Sequence, residues 1–139
     1  MTTPHVDIEF RVRYGETDQM GVVYHAEYLV WCEMGRTEFI RALGLPYAAM
    51  EQQGTVLAVA EATIRYHAPA RYDDIVRVET ALSAVGSRAI EFEYEVRKAD
   101  TGARLATART TLVAIDTSGR AISIPANIRA RLQQPLPPR

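Results

Sequence analysis

The chain has 139 residues, an ordinary size for one domain, so a single core and no second module are expected across residues 1–139. Apolar residues make up 47%, charged residues 24% and the formal net charge is −1, so no basic surplus points to nucleic acid and no apolar run approaches the ~18 residues that span a membrane. The first ten residues lack the basic start and apolar stretch of a signal peptide, and the lone Cys32 leaves no intramolecular disulfide; the cytosol is the expected compartment.

Residues 6–14 alternate: Val6, Ile8, Phe10, Val12 and Tyr14 on one side, Asp7, Glu9, Arg11 and Arg13 on the other. That period of two predicts a strand with one buried face. Gly15 to Gly21 is polar and bounded by glycines, which reads as a loop. From about Tyr24 to Leu43 the pattern is helical, with Gly44 and Pro46 as its stop. Tyr28, Leu29, Val30, Trp31, Cys32 and Met34 cover most of the circumference of its first half, so the helix is expected to be wrapped rather than half-solvated. Pro46 to about Gln53 predicts a short second helix with Pro46 at its first position and Gly54 closing it.

Four further strands are expected. Val56–His67 is apolar enough to be read as buried on both faces. Ile75–Leu82 follows a turn bearing Pro69. Ile90, Phe92, Tyr94 and Val96 alternate with Glu91, Glu93, Glu95 and Arg97, and Asp100-Thr-Gly102 turns that strand into Leu105–Ile115. A regular strand such as Ile90–Val96 is hazardous as a free edge, so it should be paired or covered. After the short apolar stretch Ala121–Ile124, residues from about 126 to 139 are expected to be a C-terminal tail whose end, with Pro135, Pro137 and Pro138, is frayed. One helix amid successive strands means an α+β domain. The expected architecture is a hotdog fold, a curved antiparallel five-stranded sheet wrapped around one long central helix.

Several chemistries lose their motifs: no Gly-x-Ser-x-Gly, no Gly-x-x-x-x-Gly-Lys, no Gly-x-Gly-x-x-Gly and no His-Glu-x-x-His occurs. With only His5, His25, His67 and Cys32, no metal site is expected. On the expected helix Cys32 and His25 sit about two turns, ~10.5 Å, apart, too far for a nucleophile–base pair, and Cys32 reads as a small buried hydrophobe. What remains is Asp18, a carboxylate just ahead of the helix. The first helical N–H groups lack internal partners and the macrodipole makes that end electropositive, so donors near Val23 to His25 suit the oxyanion of an attacked carbonyl. An aspartate there also suits a turn or N-cap, and Glu16 carries the same ambiguity.

The stretch Arg13-Tyr-Gly-Glu-Thr-Asp18-Gln-Met-Gly21-Val-Val-Tyr-His25-Ala-Glu-Tyr28, with Glu33 and Arg36-Thr-Glu38, resembles the 4-hydroxybenzoyl-CoA thioesterase-like branch of the hotdog family, which includes the acyl-CoA thioesterase of the bacterial Tol-Pal cluster. Pro69 to Asp74 and Arg120 to Pro125 resemble its later landmarks, so the likeness covers roughly residues 6–130. It implies hydrolysis of acyl-CoA thioesters with Asp18 as nucleophile or general base. It also implies that Gly21 permits the turn into the helix, that the N–H of His25 polarises the carbonyl, and that Tyr24 and the His25 side chain share the pocket. Arg88, Arg120 and, more loosely, Arg71 would meet the CoA phosphates. Glu27 and Glu33 are rival carboxylates, because other branches place theirs in the helix. His67 reads as structural. No cofactor is implied, CoA being part of the substrate. A homodimer or homotetramer with sites between subunits is implied. An acyl-carrier-protein thioesterase and a non-catalytic acyl-CoA binder are the competing readings.

Overall fold

The structure is a computed structural model that describes residues 1–45 and 47–138; Pro46, expected to open the second helix, lies outside them. The elements run β1 (Val6–Arg11), α1 (Glu27–Ala42), α2 (Tyr47–Gln52), β2 (Val56–Tyr66), β3 (Ile75–Val85), β4 (Ala89–Lys98), β5 (Arg104–Ile115) and α3 (Ala126–Leu132). The strands form one sheet in the order β1-β3-β4-β5-β2, antiparallel throughout. This is the expected hotdog architecture.

Alternation built β1 and β4 as the sequence predicts, with Ile90, Phe92, Tyr94 and Val96 facing inward and buried. Two expectations about the strands need correction. First, β1 ends at Arg11 and the chain turns into a short 3-10 segment at Tyr14–Glu16, which leaves Tyr14 77% exposed instead of on the core face. Second, β2 is not buried on both faces. It pairs with β5 alone and forms a sheet edge, so its residues are mostly exposed. The strand that seemed hazardous as an edge, β4, lies between β3 and β5 and is paired on both sides.

The long helix begins at Glu27, three residues later than predicted; Val23 and Tyr24, whose N–H groups donate to the Ala70 and Glu16 carbonyls, belong to the loop ahead of it. It packs one face onto the sheet through Tyr28, Trp31, Cys32, Phe39 and Ile40, all buried. Gly35 sits where that face comes closest: a Cβ there would collide with Thr80 Oγ1 and meet Val78 Cγ1 at 3.1 Å. The opposite face is not wrapped within the chain. Leu29, Val30 and Met34 are 40–48% exposed, so the sheet shields one side of α1 only. Gly44 takes the left-handed conformation expected of a residue just past a helix (φ 80°).

The buried Arg36 of α1 donates to the phenol oxygens of Tyr47 (3.1 Å) and Tyr94 (3.2 Å), and Tyr94 Oη lies 2.7 Å from Thr110 Oγ1. One side chain thereby joins α1, α2, β4 and β5. The stretch expected to be a C-terminal tail opens with the helix α3, which the sequence reading did not predict and whose Ile128 and Leu132, one turn apart, join the core together with Ile124. Among the described residues no helix is long and apolar enough to cross a membrane.

Candidate active site

Asp18 stands in the loop between the 3-10 turn and α1. Gly21 N–H donates to the Asp18 carbonyl (3.0 Å), and Asp18 N–H donates to the Val22 carbonyl (2.9 Å). The reversal requires a left-handed residue, and Gly21 supplies it at φ 78°. The Asp18 side chain closes the turn from within: Oδ1 accepts the Met20 N–H at 2.9 Å. Oδ2 has no hydrogen-bond partner among the described residues.

The half-buried Asp18 lines a cleft of about 340 Å³ together with Val22, Val23, His25, Tyr28, Tyr66, His67 and Pro69. Three segments build it, and backbone bonds sew them together. Val23 N–H donates to the Ala70 carbonyl (2.8 Å), Asp73 N–H to Val12 and Val12 N–H to Asp74. Tyr28 Oη, from the first turn of α1, accepts the Ala70 N–H at 3.1 Å. Tyr66 Oη, from the end of β2, donates to the His25 carbonyl at 2.7 Å. Desolvation holds both phenols above their ordinary range, so they stay protonated at neutral pH. No N–H partner for His25 is found among the described residues. The cleft is thus lined by a residue whose carboxylate keeps one oxygen without a partner and by another whose backbone N–H has no acceptor among the described residues, just ahead of a helix.

The other expected site residues are spread more widely. His25 lines the cleft, but ahead of α1 instead of within it. Tyr24 does not line it; its ring tilts against the His25 ring at 4.5 Å and is 46% exposed. Arg71 is exposed on the loop that supplies Pro69 and Ala70. Arg88 and Arg120 are not brought to this site within one chain. The Arg88 carbonyl accepts from Ala114, and the Arg120 carbonyl from Asp116, at the Ile115 end of β5. The cleft lies at the other end, where His67 N–H donates to Leu105. Ten residues of strand, ~34 Å, separate them.

The rival Glu27 and Glu33 do not line the cleft. Burial pushes the Cys32 thiol up to about 12, which leaves it no thiolate for catalysis. Tyr66 and His67 were missed as site residues. His67, read as structural, lines the cleft with Nε2 3.1 Å from Thr107 Oγ1. The usable signal was an aromatic hydroxyl and an imidazole side by side at a strand end. Among the described residues no cluster of three or more His, Cys, Asp or Glu is placed to hold a metal ion.

A model of the thioesterase-like superfamily matches residues 12–132. The chain belongs to that family. Among its relatives, a putative acyl-CoA thioesterase of Bacillus subtilis, YneP, is 50% identical over 72 residues, which make up 52% of each chain. A chloroplastic acyl-acyl carrier protein thioesterase of Arabidopsis thaliana is 30% identical over 125 residues, 90% of this chain and 66% of the relative. The matched stretch thus spans from half to two thirds of these relatives' length. Among solved structures, a DHNA-CoA thioesterase of Staphylococcus aureus superposes with a TM-score of 0.83 at 31% identity, covering 87% of this chain and 81% of the other. A hypothetical protein of Thermus thermophilus gives 0.85 at 39%, covering 91% and 95%.

Proposed function

We propose that the protein hydrolyses acyl-CoA thioesters to a carboxylic acid and free CoA, with Asp18 as the acting carboxylate. The observation that carries this reading is that Asp18, with its Oδ2 unpartnered, and His25, whose N–H has no acceptor among the described residues, line one cleft. Negative charge growing on the thioester oxygen is received by that N–H, aided by the positive end of α1. Asp18 either attacks the carbonyl carbon or takes a proton from the water that does. In the first case the carbon–sulfur bond breaks to an Asp18 anhydride and a thiolate, which is protonated as CoA leaves, and water then hydrolyses the anhydride. In the second, water adds directly and the thiol departs. Neither course needs a cofactor, because CoA belongs to the substrate. The cytosol, where acyl-CoA is made and used, is the compartment this reading assigns.

The reading includes a second copy of the chain. Strand β2 is eleven residues long, unpaired on one side, and leaves Val59 and Tyr66 about half exposed. Antiparallel pairing of two such edges about Glu61 sets the Arg88–Arg120 end of one copy against the Asp18 end of the other. The guanidinium groups of the second copy then meet the CoA phosphates, and two dimers associate into a tetramer where that state forms.

The test is a panel of acyl-CoA esters of differing chain length and aromaticity, with thiol release measured by a chromogenic disulfide. Turnover of at least one ester supports hydrolysis. Tight binding without turnover across the panel overturns it in favour of a non-catalytic binder. The likeness to acyl-acyl carrier protein thioesterases favours one further reading, the same chemistry on a protein-borne thioester; higher kcat/KM on an acyl carrier protein than on CoA decides for it.

A further inference from the structure

We infer that Glu16 is a positioning residue of this site, a buried carboxylate whose contacts brace the loop that carries Asp18 and the His25 N–H. The inference rests on the reading of Asp18 as the acting carboxylate. Glu16 is only 6% exposed, unusual for a carboxylate without a full ion pair. Each of its carboxylate oxygens is engaged. Oε1 accepts the Arg13 N–H at 2.8 Å, and Oε2 accepts the Trp31 indole N–H at 2.8 Å. Its backbone carbonyl accepts the Tyr24 N–H, also at 2.8 Å. The exposed Arg13 guanidinium adds a looser contact, Nε to Oε1 at 3.6 Å.

These three bonds reach three separate parts of the site. Arg13 leads into the turn before Asp18. Tyr24 immediately precedes the His25 donor. Trp31 lies in the second turn of α1, wholly buried and fixed against Phe10 and Tyr28. Asp18 is two residues from the Glu16 clamp and the His25 N–H one residue from its third contact, so a shift of Glu16 moves both reacting partners relative to each other. Glu16 does not line the cleft, so it acts on the reaction only through them.

The chemistry explains why a carboxylate stands here and an amide does not suffice. Both side-chain partners are N–H donors, and only a carboxylate accepts at both oxygens. Glutamine keeps nearly the same shape but turns its own NH2 against one of the two donors, which strands that donor and displaces the loop. A displacement on the order of 1 Å at a reacting pair costs up to about 100-fold in rate.

The experiment compares Glu16→Gln and Trp31→Phe, each in the wild-type and the Asp18→Asn background, well below every variant's unfolding temperature. Glu16→Gln is expected to lower kcat about 10- to 100-fold while KM stays within about threefold. Trp31→Phe, which deletes one donor and keeps an aromatic ring, lowers kcat in the same direction. In the Asp18→Asn background Glu16→Gln costs a smaller fraction of kcat than in the wild type, because only the His25 donor is left to displace, although it shifts Tm as much as it does in the wild type. A purely structural residue gives the reverse: the same fractional loss in both backgrounds, in step with Tm. That result, or wild-type kcat in folded Glu16→Gln, overturns the inference. If Glu16→Gln does not fold, Trp31→Phe in the two backgrounds carries the same comparison. Full turnover by Asp18→Asn alone is read without touching Glu16; it strikes down the Asp18 reading itself, and the positioning role with it.

Discussion

Strand β5 has an aspartate turn near each end, and the two use their carboxylates differently. Near the Leu105 end, Asp18 Oδ1 accepts one N–H, from Met20, and Oδ2 is left over in a cleft. Beyond the Ile115 end, Asp116 Oδ1 accepts three donors: Ser118 N–H (2.9 Å), Ser118 Oγ–H (2.7 Å) and Arg120 N–H (3.0 Å). Asp116 collects three donors on one oxygen in holding its turn, whereas Asp18 Oδ1 collects one. Both obey the same local rule, that aspartate bonds the backbone two residues on. On the proposed reading, the number of donors already satisfied and the presence of a cleft separate a carboxylate that only holds its turn from one that acts.

The strongest way to break this comparison is to neutralise each carboxylate in turn. Asp18→Asn is expected to lower kcat by ~10²–10⁴, the range for removing a positioned acid–base group, while its turn survives because asparagine still accepts from Met20. Asp116→Asn should leave kcat within about twofold, since Asp116 only holds the turn that carries Arg120 and touches no reacting atom. Equal losses in the two variants, measured on the best ester of the panel, would remove the distinction.

Replacing Arg88 and Arg120 together by alanine has a smaller expected effect. These residues sit at the far end of β5 from the cleft, ~34 Å of strand away in one chain, and act on the nucleotide only across a β2–β2 interface. The double variant should raise KM for acyl-CoA about tenfold, the loss of one or two charge-assisted bonds, and leave KM for an acyl-N-acetylcysteamine ester unchanged. A rise for both esters, or for neither, breaks the proposed meeting of the two ends.

The regular parts of the molecule were legible in the sequence because their causes are local. Period-two alternation marked β1 and β4, Asp100-Thr-Gly102 marked the β4–β5 hairpin, and Gly21 marked the turn after Asp18. What misled has non-local causes. The apolar run at Val56 read as doubly buried, yet burial depends on how many neighbours a strand has, and β2 has one. The apolar circumference of α1 implied wrapping, but the chain alone covers one face, and Leu29, Val30 and Met34 face outward. The start of α1 is set three residues early by the sequence pattern because Val23 and Tyr24 are tied into the loop by bonds to the Ala70 and Glu16 carbonyls that no local pattern announces. Glu16 looked interchangeable with Asp18 because its indole partner lies fifteen residues away. For α3 the signal existed, in the one-turn spacing of Ile128 and Leu132, and the following prolines drew attention from it. The candidate site was legible at Asp18, Gly21 and His25, which share one loop. It was illegible at Tyr66 and His67, which only the folded sheet delivers.

The smallest effect sharpens the comparison most directly, because it reads the donors themselves. The Ser118 hydroxyl, then the Arg120 N–H, hold the Asp116 carboxyl below its ordinary value. A carboxyl whose folded pKa lies below its unfolded value stabilises the turn above the unfolded value, ~3.9, and that contribution disappears as pH falls through the folded one. In a carbon-detected NMR titration, the Asp116 carboxyl should titrate below free aspartate, and the Ser118 and Arg120 amide shifts should move with the same midpoint. Ser118→Ala removes the largest cause and should raise that midpoint toward the ordinary value. If it stays where it was, the hydroxyl is not what occupies Asp116, and counting satisfied donors no longer explains why this aspartate is structural.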